Sequence, residues 1–150
     1  MTLAKVAYRP ARPADFPQWL PLWEGYNSFY QRVIPEAVTR TTWARLFDGL
    51  EPMHAMVAEK DGQLIGLVHY LYHRNTAMLG PTCYLQDLFT SLPARGLGIG
   101  QALIEAVYVA AKAAGAERVY WQTHETNLVA QGLYDKVAEK SGFIVYRRAI

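Results

Sequence analysis

The feature that most restricts what this chain can fold into is Arg95-Gly96-Leu97-Gly98-Ile99-Gly100, three alternate glycines between a strand-like run and a helical one. Ahead of them, Cys83 to Thr90 reads as a strand, which Ser91-Leu92-Pro93-Ala94 breaks. Behind them, Leu103, Ile104, Val107, Ala110, Ala111 and Ala114 recur at helical intervals up to Gly115, a residue suited to a left-handed cap. A strand feeding a helix in this way returns to the sheet by a crossover, so the second half demands at least one parallel strand pair. With no Cβ at Gly96, Gly98 or Gly100, successive N–H groups can converge on an anion. The helix N-terminus adds about half a positive charge there, and Arg95 adds a full one. A glycine turn serving only chain reversal is the plainer reading of the same residues.

The rest of the chain supplies the partners for this unit. Lys5 to Tyr8 reads as a first strand stopped by Pro10 and Pro13, with Asp15 placed as a helix cap. Trp19, Leu20, Trp23, Tyr26, Tyr30 and Val33 then mark one helical face that ends at Pro35, and core packing explains that stripe most simply. A short helix is expected from about Thr42 to Phe47. His54 to Glu59 and Leu64 to Tyr72 form an antiparallel hairpin around Lys60-Asp61-Gly62-Gln63. After the glycine loop and its helix come a strand at Arg118 to Thr123, a cap at Asn127, a helix at Ala130 to Lys140 and a last strand at Phe143 to Arg147. The expected class is therefore mixed α/β, with a mostly antiparallel sheet.

Composition narrows the function. A chain of 150 residues, 51% hydrophobic, is one domain's worth and can bury a core without disulfides or metal. We expect a single domain over 1–150. A net charge of +2, with Arg147-Arg148 the longest basic run, argues against a nucleic-acid partner. Cys83 is the only cysteine, so no internal disulfide or CxxC metal motif is possible, and its expected role is that of a small buried hydrophobe. With neither a leader-like apolar terminus nor a membrane-length apolar run, a soluble cytoplasmic protein is expected. The loop is not that of a nucleoside-triphosphate site, because Gln101-Ala102 follows Gly100 where Lys and Ser or Thr are needed. A dinucleotide site is weak too: Gln101 stands where glycine is required, and the next strand ends in Gln122-Thr123 in place of an acid.

Arg95, Gly98 and Gly100 match the acyl-CoA loop Arg/Gln-x-x-Gly-x-Gly/Ala of the Gcn5-related N-acetyltransferases (the GNAT family), which the sequence resembles over essentially its whole length. The strand Leu85 to Thr90, Asn127, Leu133-Tyr134 and Gly142-Phe143 add to the likeness, and its motifs are most like those of polyamine and histone-and-polyamine acetyltransferases. The resemblance implies a sheet whose central parallel pair splays apart to admit acetyl-CoA. It implies that the main chain of Leu88, Phe89 and Thr90 pairs with the pantetheine arm. Amides of Arg95, Gly96, Leu97, Gly98, Ile99 and Gly100 would hold the pyrophosphate, Asn127 would contact the co-substrate, and Tyr134 would act as general acid. No metal is implied. A non-catalytic acyl-CoA-binding or regulatory module would keep the loop without the chemistry, and the retained Tyr134 argues against it.

The implied acceptor is an amine. At a pKa of about 10.4, only about one alkylamine in 2,500 is unprotonated at pH 7, a cost of about 4.6 kcal/mol that the site must meet. Where polyamine acetyltransferases of the family carry glutamate, this chain has Gln86, so the base lies elsewhere or is a water. Asp87 is adjacent, but strand alternation turns it to the opposite face. His124 and Glu125 are further alternatives, though loop residues of this kind more often sit on the surface or begin a helix. Tyr26, Tyr30, Glu24 and Glu51 fall where the family walls its acceptor site, and aromatic faces with carboxylates suit a cation; helix packing and solvated charge are the favoured explanation. A polyamine, another small amine and a protein lysine all stay open, with small amines ahead because no long acidic groove is visible. A homodimer built on Phe143 to Arg148 is expected, since a terminal strand with an open edge invites pairing.

Overall fold

The hairpin shows how closely local chemistry dictates structure. In the computed structural model, which describes residues 5–150, β2 (Met53–Lys60) and β3 (Gln63–His73) are joined by two residues, Asp61 at φ 52° and Gly62 at φ 77°. Two left-handed residues in succession are what a tight hairpin with right-handed strand twist requires. Around this pair stand β1 (Ala7–Pro10), α1 (Phe16–Phe29), α2 (Glu36–Arg45), β4 (Thr82–Thr90), α3 (Ile99–Ala113), β5 (Arg118–Tyr120) and α4 (Leu128–Val137). Single 3-10 turns occupy Pro13–Asp15 and Leu92–Ala94. The sheet runs β1-β2-β3-β4-β5, antiparallel except for the parallel pair β4 and β5. This is the mixed α/β arrangement expected from the sequence.

Each face of the sheet carries one main helix. Trp19, Leu22, Trp23 and Tyr26 of α1 pack on Val57, Leu64 and Leu67, whereas Leu103, Ile104, Val107 and Ala111 of α3 pack on Ala58, Val68, Tyr70, Cys83 and Leu85. The α3 helix comes so close to β3 that a Cβ on Gly66 would lie 3.1 Å from both Ile99 and Leu103. Cys83 is fully buried, and that burial pushes its thiol up to about 11, as a small core hydrophobe.

Two irregularities in β4 shape the site. Opposite β3, Tyr70 pairs with Leu85 but His69 pairs with Asp87, so Gln86 is an extra, bulged residue. Cys83 and Leu85 therefore face α3, while Asp87 and Phe89, still at odd positions, face α1. Opposite β5, the ladder covers only Thr82 to Tyr84 against Arg118 to Tyr120. Among the described residues no strand pairs with the outer edge of β4 from Leu85 to Thr90, and a gap opens between the parallel strands.

Several expectations are corrected. The aromatic helix ends at Phe29, and Val33 is 97% exposed, outside the stripe. The second helix is Glu36–Arg45, earlier than Thr42 to Phe47. The last helix stops at Val137 because Ala138 is fully extended. Pro10 lies within β1, on the outer strand, where a missing N–H is tolerated. The strand expected at Phe143 to Arg147 is absent: the segment forms no ladder, and Phe143 and Tyr146 are 91% and 89% exposed. A run of apolar residues makes a strand only where an edge receives it, and β5 offers just three paired residues. Among the described residues no helix is long and apolar enough to cross a membrane.

Candidate active site

The glycine loop closes the open end of the gap. Gly96 (φ 82°) and Gly98 (φ 78°) take left-handed conformations that side chains resist, and Gly98 caps α3 without a side chain of its own. The first helical bond runs from the Ala102 N–H to the Gly98 carbonyl at 3.1 Å, which leaves the amides of Ile99, Gly100 and Gln101 without intrahelical acceptors. Gly100 lies against both walls of the gap, since a Cβ there would stand 3.5 Å from Leu133 of α4 and 3.9 Å from Leu88 of β4. An anionic group can thus be met by several N–H donors and a helix N-terminus at once. Arg95 does not point into the cradle; its Nε donates to the Thr90 carbonyl at 3.2 Å and its guanidinium lies 5.5 Å from the Phe89 ring centre.

The far wall is α4. Asn127 begins it, with Oδ1 accepting the Ala130 N–H at 3.3 Å, so its amide nitrogen alone is left to a ligand. Tyr108 of α3 donates to the Val137 carbonyl at 2.9 Å and ties the end of α4 to the core. Tyr134, half-buried, packs edge-on against Trp121 at 5.4 Å and neighbours Tyr30, the residue that caps α1. Desolvation, with a smaller effect from Tyr30, raises its pKa, so the hydroxyl is protonated at neutral pH and can donate. Among the described residues its hydroxyl has no hydrogen-bond partner.

On the α1 side the structure assembles a cluster that alternation had concealed. Trp19 Nε1 donates to His69 Nε2 at 3.0 Å, and His69 Nδ1 meets Asp87 Oδ2 at 2.9 Å. The Asp87 carboxylate lies against Tyr26, whose ring is 5.2 Å from that of Tyr30. Burial first, then the Asp87 charge, pushes the Tyr26 hydroxyl far above the ordinary tyrosine range. Tyr26 and Tyr30 are thus brought together beside Asp87, but Glu24 is exposed and Glu51 faces Arg45 at 3.7 Å. His124 and Glu125 are engaged at the start of α4: His124 Nδ1 meets the Thr126 hydroxyl at 2.7 Å, and the Glu125 carbonyl accepts from Gln131 at 3.0 Å. Asp87, His69 and Trp19 were not legible as a group, because the bulge that turns Asp87 inward depends on how β4 meets β3.

The profile of the Acetyltransferase (GNAT) family matches residues 19–138. The chain is 36% identical over 146 residues to the D-amino-acid N-acetyltransferase HPA3 of Saccharomyces cerevisiae, covering 96% of this chain and 91% of that protein. The aminoglycoside N-acetyltransferase AAC(6')-Iy is similar in fold at 16% identity, with a TM-score of 0.85 over 98% of this chain and 99% of that one in its complex with a bisubstrate analogue. Its complex with CoA gives a TM-score of 0.81 at 17% identity, over 99% and 97% of the two chains. Fold and matches place the molecule among the N-acetyltransferases. More narrowly, the chain belongs to the GNAT family, which uses acetyl-CoA as donor.

Proposed function

We propose that this chain is a single N-acetyltransferase domain over 1–150 that moves an acetyl group from acetyl-CoA to a small primary amine by direct attack. The observation that carries the reading is the unpaired edge of β4, which runs from Leu85 into a loop of free amides with Tyr134 on the facing wall. In this reading acetyl-CoA is a substrate supplying an activated thioester. The main chain of Leu88, Phe89 and Thr90 receives its pantetheine arm, and Gly96, Leu97, Gly98, Ile99 and Gly100 hold the pyrophosphate. Asn127 offers its free amide nitrogen, and Arg95 adds charge at the rim. The amine attacks the carbonyl carbon, the carbon–sulfur bond breaks, and Tyr134 gives its proton to the departing sulfur. Holding nitrogen and thioester in line supplies the remaining acceleration.

A small acceptor suits the aromatic wall of Tyr26 and Tyr30, and the 36%-identical relative named for D-amino acids adds to the case. Polyamine acetylation, which the motifs also suggest, shares the same ammonium chemistry. The deciding experiment is a panel of D-amino acids, spermidine, an aminoglycoside and a lysine peptide, following release of free thiol from acetyl-CoA. Turnover on a small amine is expected; acetyl-CoA binding with no turnover on any of them overturns the reading.

We also propose that two copies associate through the exposed segment after α4. Phe143, Ile144, Val145 and Tyr146 are each at least 70% exposed, and β5 lies at the end of the sheet with an open edge. An exposed apolar run in a chain whose sheet ends in an open edge favours strand addition between copies. Light scattering at tens of micromolar should report a dimer, and Phe143→Asp with Val145→Asp should yield a monomer; a wild-type monomer removes the proposal.

A further inference from the structure

The acceptor ammonium must lose a proton, and the residue that takes it was left open by the sequence. A glutamine at the family's carboxylate position directs attention to groups that alternation would place elsewhere. The bulge at Gln86 turns Asp87 to the α1 face, where it is 8% exposed and walled by Tyr26 and His69.

We propose that Asp87 is the proton acceptor for the amine, held in place by His69, whose tautomer Trp19 sets. This rests on the acetyltransferase reading and deepens it.

The hydrogen-bond chain leaves little freedom. Indole N–H is only a donor, so His69 Nε2, 3.0 Å from Trp19 Nε1, must offer its lone pair. The remaining hydrogen is then on Nδ1, which donates to Asp87 Oδ2 at 2.9 Å. His69 is therefore a neutral donor and not a counter-charge. Among the described residues no Lys or Arg forms an ion pair with Asp87. The other groups around it are Tyr26 from α1 and Tyr84 from β4, both neutral tyrosines with raised pKa values. Beyond them, Arg32 stands over the Tyr26 and Tyr30 rings at 5.5 and 5.3 Å.

A buried carboxylate with hydrogen bonds but no cation is costly to keep, and such groups concentrate where a site needs them. A bound ammonium would be its first true counter-ion. Tyr26, which lies against Asp87, has its ring 5.2 Å from that of Tyr30, and Tyr30 in turn neighbours Tyr134, so a chain of aromatic side chains links the carboxylate to the hydroxyl that meets the sulfur. One ammonium proton passes to Asp87 and later to solvent. The freed nitrogen attacks the carbonyl carbon, the carbon–sulfur bond breaks, and sulfur takes the Tyr134 proton. A second nitrogen proton restores Tyr134, leaving amide, free thiol and one released proton.

The test uses the full chain with D-phenylalanine and spermidine as acceptors and compares kcat/KM from pH 6.5 to 9.5 for wild type, Asp87→Asn and His69→Gln. Asparagine keeps an oxygen for His69 Nδ1 and is nearly isosteric. Asp87→Asn should bind acetyl-CoA as wild type does by calorimetry yet lose about 100-fold or more in kcat/KM at pH 7.5. Its deficit should shrink steadily with pH as the solution supplies free amine. His69→Gln, which retains the carboxylate and only loosens it, should lose about tenfold, with its pH profile displaced from that of wild type. An Asp87→Asn enzyme within threefold of wild type and parallel to it in pH overturns the proposal. Should Asp87→Asn fail to fold, an unchanged His69→Gln profile overturns it equally. A wild type that binds acetyl-CoA but acetylates neither amine nor any of the panel overturns the acetyltransferase reading, and this assignment with it.

Discussion

Replacing Tyr134 by Phe isolates a single hydroxyl. That hydroxyl has no hydrogen-bond partner among the described residues, and the ring keeps its edge-on contact with Trp121 at 5.4 Å. Its removal therefore breaks nothing in the fold, and stability should stay within about 0.5 kcal/mol of wild type. At this chain length that corresponds to a melting point shifted by at most about 2 °C. The catalytic effect should be of another size. In the proposed role, giving its proton to the departing sulfur, Tyr134 is worth about 100-fold or more as a general acid. One hundredfold is about 2.7 kcal/mol of activation free energy, several times the stability change. Single-turnover rates with saturating acetyl-CoA are the proper assay, because slow product release would hide the loss in steady state. A Tyr134→Phe protein that melts as wild type does and transfers acetyl at an unimpaired rate would refute the assignment, leaving the loop argument intact.

Further outcomes follow from the same geometry. Gly98→Asp should weaken acetyl-CoA binding strongly by calorimetry, since it forces a side chain into a φ of 78° and sets a carboxylate beside the anion cradle; Arg95→Ala alone should matter less, its guanidinium being turned back on Phe89 and Thr90. Gly66→Ala should cost about 1–3 kcal/mol by crowding Ile99 and Leu103, and read out as a lower melting point together with looser acetyl-CoA binding, because Ile99 opens the helix behind the loop. Asp15 accepts two bonds from Arg9 at 2.8 and 2.9 Å, which hold its carboxyl below the usual range. That contribution is fully present above the unfolded carboxyl value of about 3.9 and fades as pH falls through the lower folded one. Acid melts of wild type should therefore lose stability below about pH 4 more steeply than those of Asp15→Asn.

What the sequence by itself determined was set by local rules. Asp61-Gly62 could only turn a hairpin tightly, the three glycines could only lie between strand and helix with their amides exposed, and the α3 apolar face carried a period of 3.6 along its length. Those rules reach a few residues along the chain, and they held wherever an element was regular. Tertiary structure decided the rest, because a bulge, a gap and an edge are properties of two strands and not of one. Counting by twos from Cys83 and Leu85 would put Asp87 on the α3 face, and the bulge against His69 and Tyr70 inserts the residue that turns it to the α1 face instead. The gap between the parallel strands exists because the β4 and β5 ladder ends at Tyr84 and Tyr120, which neither strand's letters announce. Phe143 to Arg147 carries an apolar, β-branched and aromatic run like a strand's yet forms none, for such a run states only what a segment could bury, and a receiving edge decides whether it does.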